Sequence, residues 1–201
     1  MPNPPTPTLD EQKAALRRRA AETRAAAAAA DGGGAAGALA EHLIGAFGGG
    51  APGTVISGYL AIGDELDVAP ALEAFLEAGY VAALPVVTGA GRPLEFRRWQ
   101  PGMDLEPGPL RTRHPPTGAA TLTPEILLVP MLAFDAAGYR IGWGGGFYDR
   151  TLAKLRAAGG AEAVGVGYAA QRVDKVPRDH HDARLDWIAT ETAVYRAGQE
   201  T

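Results

Sequence analysis

Apolar and polar positions follow two alternating rhythms along the chain. Thr8-Leu9-Asp10-Glu11 has the Ser/Thr-x-x-Glu form of a helix capping box. The spacing of Lys13, Leu16, Arg17 and Arg24 into an alanine run then predicts a first helix that Gly32-Gly33-Gly34 ends. Leu39, Leu43 and Phe47 recur at helical spacing, which predicts a second helix over 36–47. Beyond it the rhythm changes. A β-rich run over 54–60, a helical pattern over 68–78 and an apolar run over 81–87 read as strand, helix, strand, the order of a βαβ unit. Residues 94–99 predict another strand, and 101–124, broken by prolines and glycines, a long surface connection. A buried strand over 126–129 stops at Pro130, a helix over 147–158 turns Leu152 and Leu155 to the core, and 163–168 and 185–190 supply two last strands.

The sum is an α/β chain, layered α/β/α, with a mainly parallel sheet. At 201 residues and 46% hydrophobic composition it has material for one well-buried core, so a single domain over 8–201 is expected after a flexible tail over 1–7. Composition then removes whole classes of function. With no cysteine there is no disulfide, thiolate metal site or thiol nucleophile. A net charge of −4 from 23 acids and 19 bases gives no general attraction to polyanions, so no nucleic-acid partner is expected. The start Met1-Pro2-Asn3-Pro4-Pro5 lacks the basic and apolar regions of a signal peptide, and no stretch is apolar enough to span a membrane. A cytoplasmic monomer is the expectation.

The chemistry concentrates in Gly138-Tyr139-Arg140-Ile141-Gly142-Trp143-Gly144-Gly145-Gly146-Phe147-Tyr148-Asp149-Arg150. Glycines so close together permit positive φ and let backbone N–H groups converge on phosphate oxygens. A helix starting near Phe147 adds the anion-attracting end of its dipole. This is neither a Walker A loop, for no Gly-Lys-Ser/Thr follows, nor a Gly-x-Gly-x-x-Gly dinucleotide fingerprint. On glycine count alone, a structural turn stands level with a phosphate loop.

The flanking residues shift that balance. Pro130, Leu132, Phe134, Asp135, Arg140, Gly142, Gly144, Gly146, Tyr148 and Asp149 match in register the motif Pro-x-Leu-x-Phe-Asp, turn, Arg-Leu-Gly-aromatic-Gly-x-Gly-aromatic-Tyr-Asp. The chain thus resembles the 5-formyltetrahydrofolate cyclo-ligase family. Three further segments follow in the family's order. They are Lys13-Ala14-Ala15-Leu16-Arg17, Gly58 to Asp67, and Gly165 to Gln171 with Pro177 to Asp186. The resemblance implies a NagB/RpiA/CoA-transferase-like fold. It implies ATP binding by Lys13, Arg17, Arg140, Ile141, Gly142, Trp143, Gly144, Gly145, Gly146, Phe147 and Tyr148. It places the folate substrate against Leu60, Glu65, Trp143 and Tyr148, assigns Mg²⁺ to Asp149 and Asp182, and makes Arg140 and Tyr148 the candidates for acting in the chemistry itself. The spacing of four independently puts Lys13 and Arg17 on one helical face. In isolation that pair reads as a solvated basic face, and Asp64, Glu65 and Asp67 as an acidic cluster opening the next helix. His180 and His181 lack a cysteine or a helical His-x-x-x-His partner and read as loop residues rather than zinc ligands.

Three positions and one segment depart from the family pattern: Ile141 for leucine, Leu94 for methionine, Asp67 for threonine, and Thr112-Arg113-His114-Pro115-Pro116 where a Glu-Pro sequence is usual. The implied activity is conversion of 5-formyltetrahydrofolate to 5,10-methenyltetrahydrofolate with cleavage of ATP to ADP and phosphate. Two alternatives stand beside it. One is a non-catalytic relative that binds nucleotide or folate, and the other a phosphotransferase with the same ATP end and another small acceptor.

Overall fold

The computed structural model describes residues 6–199, so residues 1–5 of the expected tail lie outside the described residues. Helix α1 (Leu9–Ala30) begins at its capping box. The Thr8 hydroxyl accepts from the Glu11 N–H at 3.3 Å, and the Glu11 carboxylate accepts from the Thr8 N–H at 2.7 Å. It ends one residue before Asp31, whose carboxylate accepts from the Ala35 N–H at 2.7 Å and opens α2 (Ala35–Phe47).

After α2 come β1 (Val55–Ser57), α3 (Ala69–Glu77), β2 (Val81–Val86) and β3 (Glu95–Arg98). The chain continues through β4 (Glu106–Pro107), β5 (Arg113–His114), β6 (Thr121–Leu122), β7 (Ile126–Pro130), β8 (Ala133–Phe134) and β9 (Arg140–Ile141). It closes with α4 (Phe147–Ala157), β10 (Glu162–Val166), β11 (Trp187–Ala189) and β12 (Val194–Arg196). One eight-stranded sheet has the order β12-β11-β10-β7-β1-β2-β3-β6. Its five central strands, β11 to β2, are parallel, and the three strands outside them join antiparallel. The mainly parallel sheet expected from the alternating rhythm is therefore present.

Strand β7 explains the layering. Ile126 and Leu128 point into a core shared with Leu39 and Leu43 of α2 and Leu72 and Phe75 of α3, whereas Leu127 and Val129 point into a core shared with Leu152 and Leu155 of α4. A strand covered on both faces has no polar side to show, which is why the run reads as continuously apolar. A third cluster seats Leu16 and Ala20 of α1 on Leu132, Ala133 and Ile141 of the β8–β9 hairpin. Helix α1 thereby lies against the hairpin that leads into the glycine-rich loop.

Several expected boundaries move inward. Only Val55–Ser57 of the 54–60 run is strand, because Gly58-Tyr59-Leu60 leaves the sheet to line a cleft. Only Trp187–Ala189 of 185–190 is strand. The 101–124 connection contains the β4–β5 hairpin and the edge strand β6. Elements of two or three residues have too few positions to show a period, and the same holds for β8, β9 and β12, which sequence patterning does not predict. No helix among the described residues is long and apolar enough to cross a membrane.

Candidate active site

The order of the parallel strands proceeds to opposite sides of β1, to β2 on one side and to β7, β10 and β11 on the other. The carboxyl ends of β1 and β7 therefore part at a switch point, the usual place for a ligand in an open α/β sheet. A cleft of roughly 1100 Å³ opens there. It is lined by Tyr59 and Leu60 after β1, Pro85 and Val87 at the end of β2, Pro130 and Met131 at the end of β7, one face of α1 and the whole loop into α4. Lys13, Arg17, Leu60, Glu65, every residue from Arg140 to Asp149, and Asp182 all border it. Residues scattered over 169 sequence positions are brought together at the carboxyl ends of the central strands.

The loop between β9 and α4 presents backbone to the cleft. Gly146, the residue before α4, has φ of 63° and ψ of 16°, a left-handed conformation that glycine adopts without strain, and no side chain caps the helix behind it. The free N–H groups of the first turn of α4 are thus available to an anion. Arg17 donates from Nε to the Gly142 carbonyl at 2.9 Å, and a Cβ on Gly144 would lie 3.0 Å from the same guanidinium. Arg150 donates to the Gly145 carbonyl at 2.6 Å. Two guanidiniums therefore sit on the loop's carbonyls while its N–H groups remain for a ligand.

Ion pairs arrange the rest of this cationic part. Arg140, nearly buried, donates to Asp149 at 2.8 Å and to the Ala183 carbonyl at 2.7 Å, and Asp149 also accepts from the Ala183 N–H. Lys13 reaches Asp182 at 2.6 Å and Asp179 at 3.3 Å. Burial opposes the Lys13 charge, but the two carboxylates more than offset it, and the ammonium titrates above the ordinary lysine value. Asp179 is held below the ordinary carboxylate range, first by the His181 N–H that donates to it, then by Lys13, with burial opposing. The rings of His180 and His181 pack on each other at 3.8 Å, and no cluster of three metal-ligating side chains exists among the described residues.

Asp149 and Asp182 are thus ion-paired rather than joined in a protein-only cage. Each uses one carboxylate oxygen for the contacts above, and the other, Asp149 Oδ2 or Asp182 Oδ1, makes no hydrogen bond among the described residues. Mg²⁺ keeps waters and takes one or two carboxylates plus substrate phosphates, so this donor set fits an ion that arrives with a nucleotide.

The remaining part of the cleft is apolar, with one buried charge cluster. Leu60, Val87, Leu94 and Met131 contribute side chains, and Leu110, Thr112 and Arg113 bring the β4–β5 hairpin to its border. Glu65 accepts from the Ile62 N–H at 3.0 Å and from Arg24 at 3.3 Å, and Arg24 also pairs with Asp64 at 2.6 Å. Burial and the Glu65 carboxylate push the Tyr148 phenol far above its usual titration range, so at neutral pH it is a hydrogen-bond donor and not a base. Tyr59 is raised by the same two causes and donates to the Leu66 carbonyl at 2.7 Å. Ile141 is 3% exposed and packed under α1, and its carbonyl accepts from the Leu132 N–H at 2.8 Å. Trp143 is instead 67% exposed.

Sequence reasoning passed over Arg24 as a site residue, although it stands seven residues after Arg17 and therefore on the same helical face. Two motif residues turn out to hold the scaffold. Asp135 is buried and accepts from the Tyr139 and Val176 N–H groups, closing the hairpin turn. Gln171 donates to the Met131 and Leu132 carbonyls at 2.7 and 2.9 Å, which pins the segment after β7.

The model of the 5-formyltetrahydrofolate cyclo-ligase family matches residues 9–191. The 5-formyltetrahydrofolate cyclo-ligase of Escherichia coli (strain K12) is 33% identical over 143 residues, which cover 68% of this chain and 78% of that protein. The Mycolicibacterium smegmatis protein of the same name is 33% identical over 146 residues, 69% of this chain and 74% of that one. The solved structure of Aquifex aeolicus 5,10-methenyltetrahydrofolate synthetase superposes with a TM-score of 0.75 at 27% identity, over 94% of each chain.

Proposed function

The chain belongs to the 5-formyltetrahydrofolate cyclo-ligase family, and from that membership we propose that it uses ATP to close 5-formyltetrahydrofolate to 5,10-methenyltetrahydrofolate, releasing ADP and phosphate. The observation that carries the reading is the single cleft in which a glycine loop at a helix N-terminus, two basic residues of α1 and an apolar wall with one acidic group meet. Triphosphate suits the first two and a pterin the third.

The need for ATP follows from the substrate. A formyl oxygen conjugated with N5 is a poor leaving group. When it attacks the γ-phosphorus, the bond from phosphorus to ADP breaks and the oxygen becomes a phosphate ester. N10 then adds to the formyl carbon, phosphate departs with that oxygen, and N10 loses its proton. No covalent bond to the protein is required, so catalysis consists of alignment and of charge stabilisation at the transferred phosphoryl group.

In this reading Lys13, Arg17, Arg140 and the backbone of 142–146 bind the phosphates, and Tyr148 donates a hydrogen bond at the boundary between nucleotide and folate. Phe147 and Trp143 border both ligands. Leu60 and Glu65 meet the pterin, with Glu65 accepting from its amino and ring N–H groups. Asp149 and Asp182 would hold Mg²⁺, which neutralises phosphate charge when bound. We read the protein as a cytoplasmic monomer without a nucleic-acid or membrane partner, a reading supported by its net charge of −4.

Purified protein given Mg-ATP and 5-formyltetrahydrofolate is expected to form methenyl product and ADP in equal amounts. Folded protein that forms neither would overturn the reading. ADP without methenyl product would point to another acceptor.

A further inference from the structure

Arg24 carries a charge in a place where packing does not ask for one. Its side chain is 4% exposed, and its Nε is buried without a hydrogen-bond partner among the described residues. The neighbours on the same face of α1, Leu16 and Ala20, pack through apolar contact alone. A buried ion pair is seldom more stabilising than apolar side chains of the same volume, so stability does not account for the arginine. The arrangement instead sets two carboxylates in place: Nη2 on Asp64 at 2.6 Å and Nη1 on Glu65 at 3.3 Å.

We propose that Arg24 is a positioning residue for the folate substrate, acting through Glu65. The inference rests on the cyclo-ligase reading. Glu65 borders the cleft with its carboxylate held from two sides, by Arg24 on one oxygen and by the Ile62 N–H on the other. A carboxylate offers about four acceptor directions. Two are used, and those left can take a pair of adjacent N–H donors, the pattern on the amino edge of a pterin. The Trp143 ring, 5.5 Å from the Arg24 Cζ, covers the cation from the glycine-loop side. Arg24 makes no hydrogen bond to Lys13, Arg17 or the loop, and both of its hydrogen-bond partners are the carboxylates Asp64 and Glu65, so its directed influence falls at the folate end.

Steady-state kinetics that vary each substrate in turn, read as methenyl and ADP formation, test this in wild type, Arg24→Met, Arg24→Lys, Glu65→Gln and the Arg24→Met/Glu65→Gln pair. R24M is expected to raise the KM for 5-formyltetrahydrofolate about tenfold, the scale of one misplaced charged hydrogen bond, with the KM for ATP and kcat within about twofold. R24K, which keeps the charge on a single donor centre, is expected to fall between wild type and R24M. The double variant is expected to be no worse than E65Q, because Arg24 acts only through Glu65. An unchanged folate KM in R24M, a parallel rise in both KM values with a fall in Tm, or additive effects in the pair would each overturn the role. Should R24M fail to fold, R24K decides the question by the same split. An inactive wild type would overturn the cyclo-ligase reading and the Arg24 role with it, whereas an active wild type beside an unaffected variant would overturn the role alone.

Discussion

The two parts of the cleft are built on different principles. Around the glycine loop the cleft is bordered by backbone N–H groups and by the cations Lys13, Arg17 and Arg140, and Arg17 and Arg150 brace the loop by donating to its carbonyls. Around Leu60 and Glu65 the walls are apolar side chains, and in the proposed reading recognition falls to one carboxylate held by Arg24. Backbone recognition depends on conformation, so it tolerates changes of side chain but not of glycine. Side-chain recognition depends on the shell behind the contact, so it is sensitive to residues that never touch the ligand. The first kind leaves a dense local motif in the sequence, and the second leaves isolated residues.

Substitutions that act on one part and spare the other put this contrast to the test. The largest effect is expected from Lys13→Ala, which removes a charged donor and leaves Asp182 without its partner. It should lower kcat/KM for ATP about 100-fold and leave the folate KM within about twofold. A matching loss for folate would show that the parts are not separable. Next, Gly146→Ala forces a Cβ into a left-handed position at a cost of about 1–2 kcal/mol, or roughly 5–30-fold. The loss should appear in the ATP KM, and unchanged ATP kinetics would mean that the loop's conformation does not matter to binding. Glu65→Gln keeps shape but not charge, and is expected to raise the folate KM about tenfold with ATP unaffected.

The smallest expected effect concerns pH. Lys13 titrates above its ordinary value, so its contribution to stability is complete below about pH 10.4 and is lost only as pH rises through the raised value. Asp179 titrates below its ordinary value, so its contribution is present above about pH 3.9 and is lost as pH falls through the lowered one. The difference in Tm between wild type and Lys13→Ala should therefore stay level from about pH 5 to about pH 9. A slope inside that window, measured by thermal melts, would mean that another group titrates with the pair.

The glycine-rich motif of the cleft was legible because its residues are contiguous from Pro130 to Asp149 and its glycines have a stated conformational reason. Helical spacing put Lys13 and Arg17 on one face of α1, and only the family resemblance made that face a candidate site. Arg24 was not read as a site residue, although the same spacing reaches it, because its meaning depends on Asp64 and Glu65 lying opposite. Asp149 and Asp182 were read as carboxylates free for metal, and the structure pairs one with Arg140 and the other with Lys13.

Periodicity and the capping box determined the helices, the βαβ order and the apolar central strands, because each of these follows from contacts within a few residues or from burial on both faces. Short strands such as β8 and β9, the hairpin inside 101–124 and the partner of every charge in the cleft were decided only by tertiary structure. An ion pair such as Lys13 with Asp182 joins residues 169 positions apart. No local pattern records which acid a base will meet, since that is settled by where the sheet order delivers the ends of its strands.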